Sequence, residues 1–432
     1  MLSKSYSFVN SAFRSLLESV NDLKTALLVR RRITAGNSAM PSSTSLRPSP
    51  PTAIPLREII VKLPRLFPRS AFKSLRDFED FKRNPNSLQH ELLSTLPFFP
   101  RPNKEKVANI VRTPVDNEGN YINEFCIEPR SRIPGVSMKH LILIHGYGAG
   151  LGFYLKSLER INFSKNDWCI HAIDLPGYGF SSRPRFPFEI GKHSAETAEN
   201  WFHDRFNQWL RNRGLLEAPE SNMVVAHSMG AYLSALYANR HPNHFKRLIM
   251  CSPAGICESS AAMRKKIPPW WFQRLWDKNI SPFSLVRKSG YLGSKLTSGW
   301  SYRRFKRFMY DDDHGRTQHE AMHRYTYSIF NQRGSGEYLL SFALKCGGEP
   351  RKALEKRLFH NISDQFKASC QWLWLYGDQD WMDRSGGERV SDFLQEMGLK
   401  SAVEIVPSAG HHLYLDNYQV FNKILEREMA DF

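Results

Sequence analysis

The sequence predicts an α/β fold, a mostly parallel central sheet flanked by helices and carrying a helical cap insertion. Three observations point there. The first is an apolar run at 223–226 that ends in a small-x-Ser-x-Gly turn, Ala226-His227-Ser228-Met229-Gly230, with a helix-like run from about 232 to 240 behind it. A strand entering a helix through so sharp a turn lifts the serine hydroxyl above the sheet edge and tolerates only small flanking residues. Gly230 meets that demand, and Ala226 and Ala231 are the smallest steps above glycine. The second is the buried-strand pattern Trp372-Leu373-Trp374-Leu375-Tyr376-Gly377, followed at once by Asp378, Asp380 and Asp383. The third is a strand at 402–406 that runs into Ser408-Ala409-Gly410-His411-His412 near the end of the chain.

Serine, then acid, then histidine is the order used by the α/β-hydrolase fold, and the rest of the chain can be laid onto it. Residues 1–70 read as a basic leader and disordered linker, with 11 Lys/Arg against 3 acids and seven prolines between Pro41 and Pro68. Val9, Phe13, Leu16, Leu17, Val20, Leu23 and Leu27 fall near helical spacing among basic residues, the pattern of a mitochondrial transit peptide. A basic tail, or an amphipathic helix lying on a membrane, is the alternative. Residues 71–254 read as the first part of the core. They begin with a helical lead-in at 71–105, broken by the prolines at 97–102, and a hairpin of 107–112 with 121–127. Strand 141–146 runs into His145-Gly146-Tyr147-Gly148, helix 153–161 follows, and strand 168–173 ends in Asp174-Leu175-Pro176-Gly177-Tyr178-Gly179-Phe180-Ser181. The glycines of that turn let the loop double back over the sheet edge. Helix 193–213, the serine elbow and strand 245–251 complete this part. Residues 255–365 interrupt the alternation and read as a cap. Residues 366–432 close the core with the acid strand, helix 387–399, strand 402–406, the histidine loop and helix 418–429.

The formal net charge is +18. Charge of that size concerns partners rather than fold. No nucleic-acid-binding module is present, so an anionic lipid surface is the favoured partner. The basic residues keep company with aromatics. Between Arg264 and Phe308 there are 12 Lys/Arg, one acid and 10 aromatics. Arg264, Lys265, Lys266, Trp270, Trp271, Arg303 and Arg304 are the candidate lipid-binding residues, because tryptophan favours the membrane interface and each basic residue near an anionic surface contributes ~1 kcal/mol. The alternative is that the aromatics are cap core and the charges a solvated face. No run reaches the ~18 apolar residues of a membrane span, so membrane association would be peripheral. The six cysteines show no CxxC pair and no metal-ligand spacing, and several sit in apolar runs as small core residues. That pattern suits a reducing compartment without structural disulfides. No cofactor, metal or particular protein partner is indicated.

The chemistry follows from the spacing. Ser228 would be the nucleophile, which needs an adjacent base. His411, directly after Gly410, would be that base, with His412 behind it. A carboxylate after the acid strand would orient the imidazole. Gly377-x-x-Asp380 favours Asp380, with Asp383 and then Asp378 as alternatives, the losers capping the next helix. The backbone N–H groups of Tyr147 and Met229 would form the oxyanion hole. His227 and His145 read as structural. Asp416 completes a His-x-x-x-x-Asp spacing with His411, but its expected role is to cap the terminal helix.

Taken together, His-Gly-Tyr-Gly, Asp-Leu-Pro-Gly-Tyr-Gly-Phe-Ser, His-Ser-Met-Gly, Tyr-Gly-Asp-Gln-Asp-Trp-Met-Asp and Ala-Gly-His-His-Leu-Tyr-Leu-Asp resemble one α/β-hydrolase branch over about residues 70–432. That branch contains the mammalian lipid-droplet lipase co-activator. Its fungal members include a mitochondrial cardiolipin-specific deacylase and lysophosphatidic acid acyltransferase-like proteins, and these are the closest in pattern. The co-activator has lost its nucleophile whereas this chain keeps Ser228, which implies an enzyme. The resemblance implies a phospholipid acyl substrate, with cardiolipin first, at a mitochondrial membrane, peripheral on the inner one. A lipid droplet or endoplasmic reticulum surface is the alternative location. Acyl-CoA-dependent acyl transfer to a lysophospholipid and non-enzymatic co-activation are the alternative functions.

Overall fold

A computed structural model describes residues 65–161, 167–258, 270–311, 314–346, 348–359 and 370–432; of Trp271, Phe272 and Leu275 only the backbone is described. The expected leader helix and residues 264–266 therefore lie outside the described residues. The strands are β1 (Lys106–Pro114), β2 (Tyr121–Pro129), β3 (Lys139–Ile144), β4 (Trp168–Ile173), β5 (Asn222–His227), β6 (Arg247–Cys251), β7 (Gln371–Gly377) and β8 (Ser401–Val406). They form one eight-stranded sheet in the order β1-β2-β4-β3-β5-β6-β7-β8. The β1–β2 and β2–β4 pairings are antiparallel, and all others are parallel. Every residue of β4, β5 and β6 is buried, which is why these strands read as continuous apolar runs rather than alternating ones.

The helices are α1 (Ala71–Arg83), α2 (Pro85–Leu93), α3 (Leu155–Arg160), α4 (Ala195–Asn212), α5 (Met229–Arg240), α6 (Trp270–Asp277), α7 (Phe283–Lys288), α8 (Gly293–Arg304), α9 (Gly315–Asn331), α10 (Leu340–Ala343), α11 (Ser385–Glu396), α12 (Leu413–Asp416) and α13 (Tyr418–Ala430). Local chemistry sets their ends. Ser194 caps α4 by accepting the Thr197 N–H, and Glu196 sits in its first turn, each offsetting unpaired amides and the positive end of the helix dipole. The face of α4 carrying Ala198, Phe202, Phe206, Trp209 and Leu210 is buried, at the spacing that turns one stripe of a helix toward a sheet. No helix among the described residues is long and apolar enough to cross a membrane.

Two segments make contacts that the sequence reading did not include. The lead-in helices α1 and α2 pack against the cap helices α8 and α9, while Leu92 and Leu93 of α2 share one buried cluster with Phe125 and Leu141 of the sheet. Residues 65–70, expected in the linker, are tied in as well. The Arg69 guanidinium is buried, pairs with Asp77 and reaches Glu320 at 2.8 Å. Ser294 and Arg324 of the cap also converge on Asp77. The contacts to Glu320, Ser294 and Arg324 join residues more than 200 positions apart, so no local pattern announces them.

Burial alone would raise the Asp77 carboxyl, but hydrogen bonds from His323, Arg69 and Ser294 and the charge of Arg69 hold it at about 2. A carboxyl depressed on folding stabilises the fold above its unfolded value near ~3.9, and that contribution fades as pH falls toward about 2. Arg69→Met should leave Asp77 buried and short of its principal cation, at a cost of about 3–5 kcal/mol. Denaturant unfolding checks this, and the gap between wild type and variant should narrow at pH 3.

Candidate active site

Ser228, Asp380 and His411 sit just beyond the C-terminal ends of β5, β7 and β8, on one edge of the sheet. Ser228 has φ 52° and ψ −113° and is the residue on which α5 starts. A non-glycine residue held at positive φ is strained, and such strain persists only where the surroundings fix it. The Ser228 N–H donates to the Cys251 carbonyl, and its own carbonyl accepts from Tyr232 and Ala254. Gly230 is required by contact: a Cβ there would lie 2.3 Å from the His145 carbonyl oxygen. Ala226 needs no such exemption and is buried within β5.

The His411 Nε2 lies 3.0 Å from Ser228 Oγ, and its Nδ1 lies 3.2 Å from Asp380 Oδ1. The three are nearly closed to water: Ser228 is 8% exposed, and the His411 and Asp380 side chains 12% and 1%. Burial would raise the Asp380 carboxyl. His411, the Met382 N–H at 3.0 Å and the Ser252 hydroxyl outweigh it and hold the group below the ordinary carboxylate range. Asp380 therefore stays ionised beside the imidazole at neutral pH. The structure brings neither alternative acid to His411. Asp378 accepts the Ala409 N–H at 3.0 Å and so braces the histidine loop. Asp383 accepts the Ser385 N–H at the start of α11.

Met229 is the first residue of α5, where backbone N–H groups lack intrahelical partners and point at an incoming anion. Tyr147 lies in the turn after β3, with its ring stacked on Phe283 of α7 at 5.4 Å. His145 closes this turn from behind, accepting the Leu175 N–H on Nε2 at 3.0 Å. Asp174 receives the N–H groups of Leu151 and Phe180 at 2.8 Å each, which makes the Asp-x-x-Gly-x-Gly-x-Ser segment a brace for the loops around the site.

The histidine loop is held from four sides. His227 lies with Nε2 2.8 Å from the His411 carbonyl and Nδ1 3.1 Å from the Tyr414 hydroxyl. The arrangement fits Nε2–H as donor and Nδ1 as acceptor, and burial keeps the ring neutral. Gly377 admits the loop itself, since a Cβ there would meet the Ala409 oxygen at 2.1 Å. Asp378 supplies the third brace. The fourth is Asp416, and here the expectation fails: Asn417, not Asp416, caps α13 by accepting the Val420 N–H. Asp416 instead accepts the Gly410 N–H at 3.0 Å and the Arg304 guanidinium at 2.9 Å. Arg304, expected on a lipid-facing surface, is thus turned inward and ties α8 of the cap to the loop that carries His411. Its Nη2 also reaches the His412 carbonyl at 3.4 Å.

Of the other candidate lipid-binding residues, Trp270 is 70% exposed and Arg303 is half-buried, whereas Arg264, Lys265, Lys266 and the Trp271 side chain lie outside the described residues. Three contributors escaped the sequence reading. Ser252 orients Asp380 from the end of β6. Tyr414 fixes His227. The ring of Trp381, 40% exposed, sits 5.0 Å from that of His411 at the mouth of the site. A small crevice lined by Phe283, Val286, Leu296, Trp300 and Phe330 opens in the cap, behind the Phe283 ring that touches Tyr147. Its walls are apolar.

Comparison with known proteins gives the fold family. Residues 139–418 match the alpha/beta hydrolase fold family. A 1-acylglycerol-3-phosphate O-acyltransferase of Arabidopsis thaliana is 29% identical over 315 residues, covering 70% of this chain and 68% of that protein. A (lyso)-N-acylphosphatidylethanolamine lipase of Homo sapiens is 25% identical over 355 residues, covering 80% and 88%. Among solved structures, naproxen esterase (carboxylesterase NP) of Bacillus subtilis aligns with a TM-score of 0.46 at 15% identity, over 81% of this chain and 98% of that one.

Proposed function

This chain belongs to the alpha/beta hydrolase fold family, and from that premise we propose that it is a serine acyl hydrolase of acidic phospholipids. The observation that carries the reading is the hydrogen-bonded line Ser228–His411–Asp380 at the elbow. Ser228 Oγ attacks the acyl carbonyl carbon as its proton passes to His411 Nε2. Asp380 fixes the imidazole and stabilises the imidazolium. The N–H groups of Met229 and Tyr147 receive the carbonyl oxygen as it becomes negative, commonly the largest single contribution to such catalysis. Collapse expels the lysolipid oxygen, which takes the proton from His411. Water then attacks the acyl-enzyme by the same route and frees the fatty acid.

The lipid class rests on the relatives, which act on acyl glycerophosphate or N-acylphosphatidylethanolamine by their names, and on the charge of +18. Cardiolipin is the leading substrate, cleaved to its monolyso form at the inner mitochondrial membrane. Arg264, Lys265, Lys266, Trp270, Trp271 and Arg303 are proposed to dock the cap there. One relative's name favours a second reading, in which a lysophospholipid hydroxyl rather than water accepts the acyl group. A vesicle panel of cardiolipin, phosphatidic acid and phosphatidylcholine, with and without acyl-CoA plus lysophosphatidic acid, separates the two. Hydrolysis predicts fatty acid release from the acidic vesicles alone. Consumption of acyl-CoA only when lysolipid is present would replace it with acyl transfer.

Asp416 supports the position of His411 rather than the chemistry. Asp416→Ala should lower kcat on a soluble ester by roughly 10–100-fold, because a slightly displaced base forfeits near-attack geometry, while KM changes little. Arg304→Met should show the same signature more weakly. Steady-state kinetics on a p-nitrophenyl ester reads both.

A further inference from the structure

Away from Ser228, one buried cluster of thiol, imidazole and carboxylate groups has no part in the chemistry above. It lies in the seam where β2 pairs antiparallel with β4. Cys126 of β2 stands opposite His171 of β4 in the ladder. Cys169, two positions earlier on β4, places its Sγ 3.5 Å from Cys126 Sγ. Cys126 Sγ is 4.0 Å from His171 Nδ1, and the three ligand atoms all lie within 4.8 Å of one another. All three residues are buried. Glu124, on the same face of β2 as Cys126, brings Oε1 to 2.6 Å from His171 Nδ1.

We propose that Cys126, Cys169 and His171 form a zinc site that clamps the N-terminal hairpin to the parallel sheet, with Glu124 beside it. Two thiolates and an imidazole are donors of the kind zinc takes, and the two sulfurs select against hard cations. Zn–S bonds of ~2.3 Å at a tetrahedral angle put two sulfurs about 3.8 Å apart, so the pair has only a few tenths of an ångström to open. The surroundings suit such a site. The His171 Nε2 lies 3.0 Å from His140 Nδ1, a partner that leaves Nδ1 for the metal once zinc displaces the proton it shares with Glu124. Trp209 Nε1 donates to the Glu124 carboxylate at 3.2 Å, and Arg213 pairs with it at 3.0 Å. Arg213 also donates to Cys126 Sγ at 3.5 Å. Two thiolates, one carboxylate and a divalent ion leave one negative charge, which Arg213 cancels. The linear sequence hides the site because its donors come from two strands that meet only in the fold.

The test uses the chain as it stands, purified in reductant with zinc and dialysed against metal-free buffer. Elemental mass spectrometry should find about one zinc per chain, and Cys126→Ser/Cys169→Ser should retain at least 10-fold less. Cobalt in place of zinc should give a thiolate-to-cobalt charge-transfer band and the strong visible bands of a tetrahedral centre, a reading that stands on wild type alone should the variant not fold. Zinc retention should also rise with pH, since binding displaces the two thiol protons. Wild-type protein with neither zinc nor the charge-transfer band overturns the proposal. So does equal zinc in the double variant, or a Cys126–Cys169 disulfide in protein isolated with its thiols blocked. None of these readouts depends on acyl hydrolysis, so the zinc site and the activity stand or fall separately.

Discussion

Ser228→Ala is expected to lower acyl release by on the order of 10⁴-fold or more, because removing the nucleophile of a serine hydrolase leaves only binding and oxyanion stabilisation. The fold should not suffer. Ser228 makes its structural contacts through backbone N–H and carbonyl, to Cys251, Tyr232 and Ala254, and alanine keeps both groups and the same Cβ. Unfolding free energy should stay within about 1 kcal/mol of wild type. A fluorophosphonate should label Ser228 in wild type and leave the variant unmodified, and peptide mass spectrometry reads that directly.

The second large effect distinguishes the three acids after β7. Asp380→Asn should lower kcat by on the order of 10⁴-fold, since an amide there can favour the wrong imidazole tautomer and cannot stabilise the imidazolium. Asp378→Asn should cost about 10-fold, the equivalent of one weakened hydrogen bond to the Ala409 N–H. Asp383→Asn should stay near the wild-type rate, because its carboxylate serves the start of α11. Kinetics on a soluble ester, with circular dichroism to verify folding, gives the ranking. Equal losses at Asp380 and Asp383 would contradict the assignment.

Much of the site was legible because each member closes a local pattern. A buried strand followed by a tight turn marks Ser228, Asp380 and His411, and three separate strand ends in one parallel sheet necessarily share an edge. The choice among the acids followed from the two-residue spacer after Gly377. What escaped was long-range. Arg304 and Asp416 meet across 112 positions, and Ser252 and Asp380 across 128, so nothing near Asp416 signals that it braces Gly410 rather than capping α13. A basic, aromatic segment reads as a surface, yet Arg304 is spent on an internal ion pair. The contacts of the lead-in helices were hidden for the same reason: nothing near α1 says that Asp77 meets Ser294 and Arg324 of the cap. The zinc-ligand cluster is an extreme case. Cys126 and Cys169 look like small core residues until antiparallel pairing sets them side by side.

The inward turn of Arg304 gives the cap a mechanical link to the base. Helix α8 carries Trp300, which lines the apolar crevice, and Arg304, which holds the Asp416–Gly410 strut.

The measurement that bears most directly on the proposed activity is mass spectrometry of cardiolipin vesicles incubated with the purified protein in ¹⁸O-water. Acyl hydrolysis through Ser228 predicts monolysocardiolipin together with free fatty acid carrying one ¹⁸O, formed by wild type and missing with Ser228→Ala. Cardiolipin left intact by wild type, or the same labelled fatty acid formed by Ser228→Ala, would contradict it.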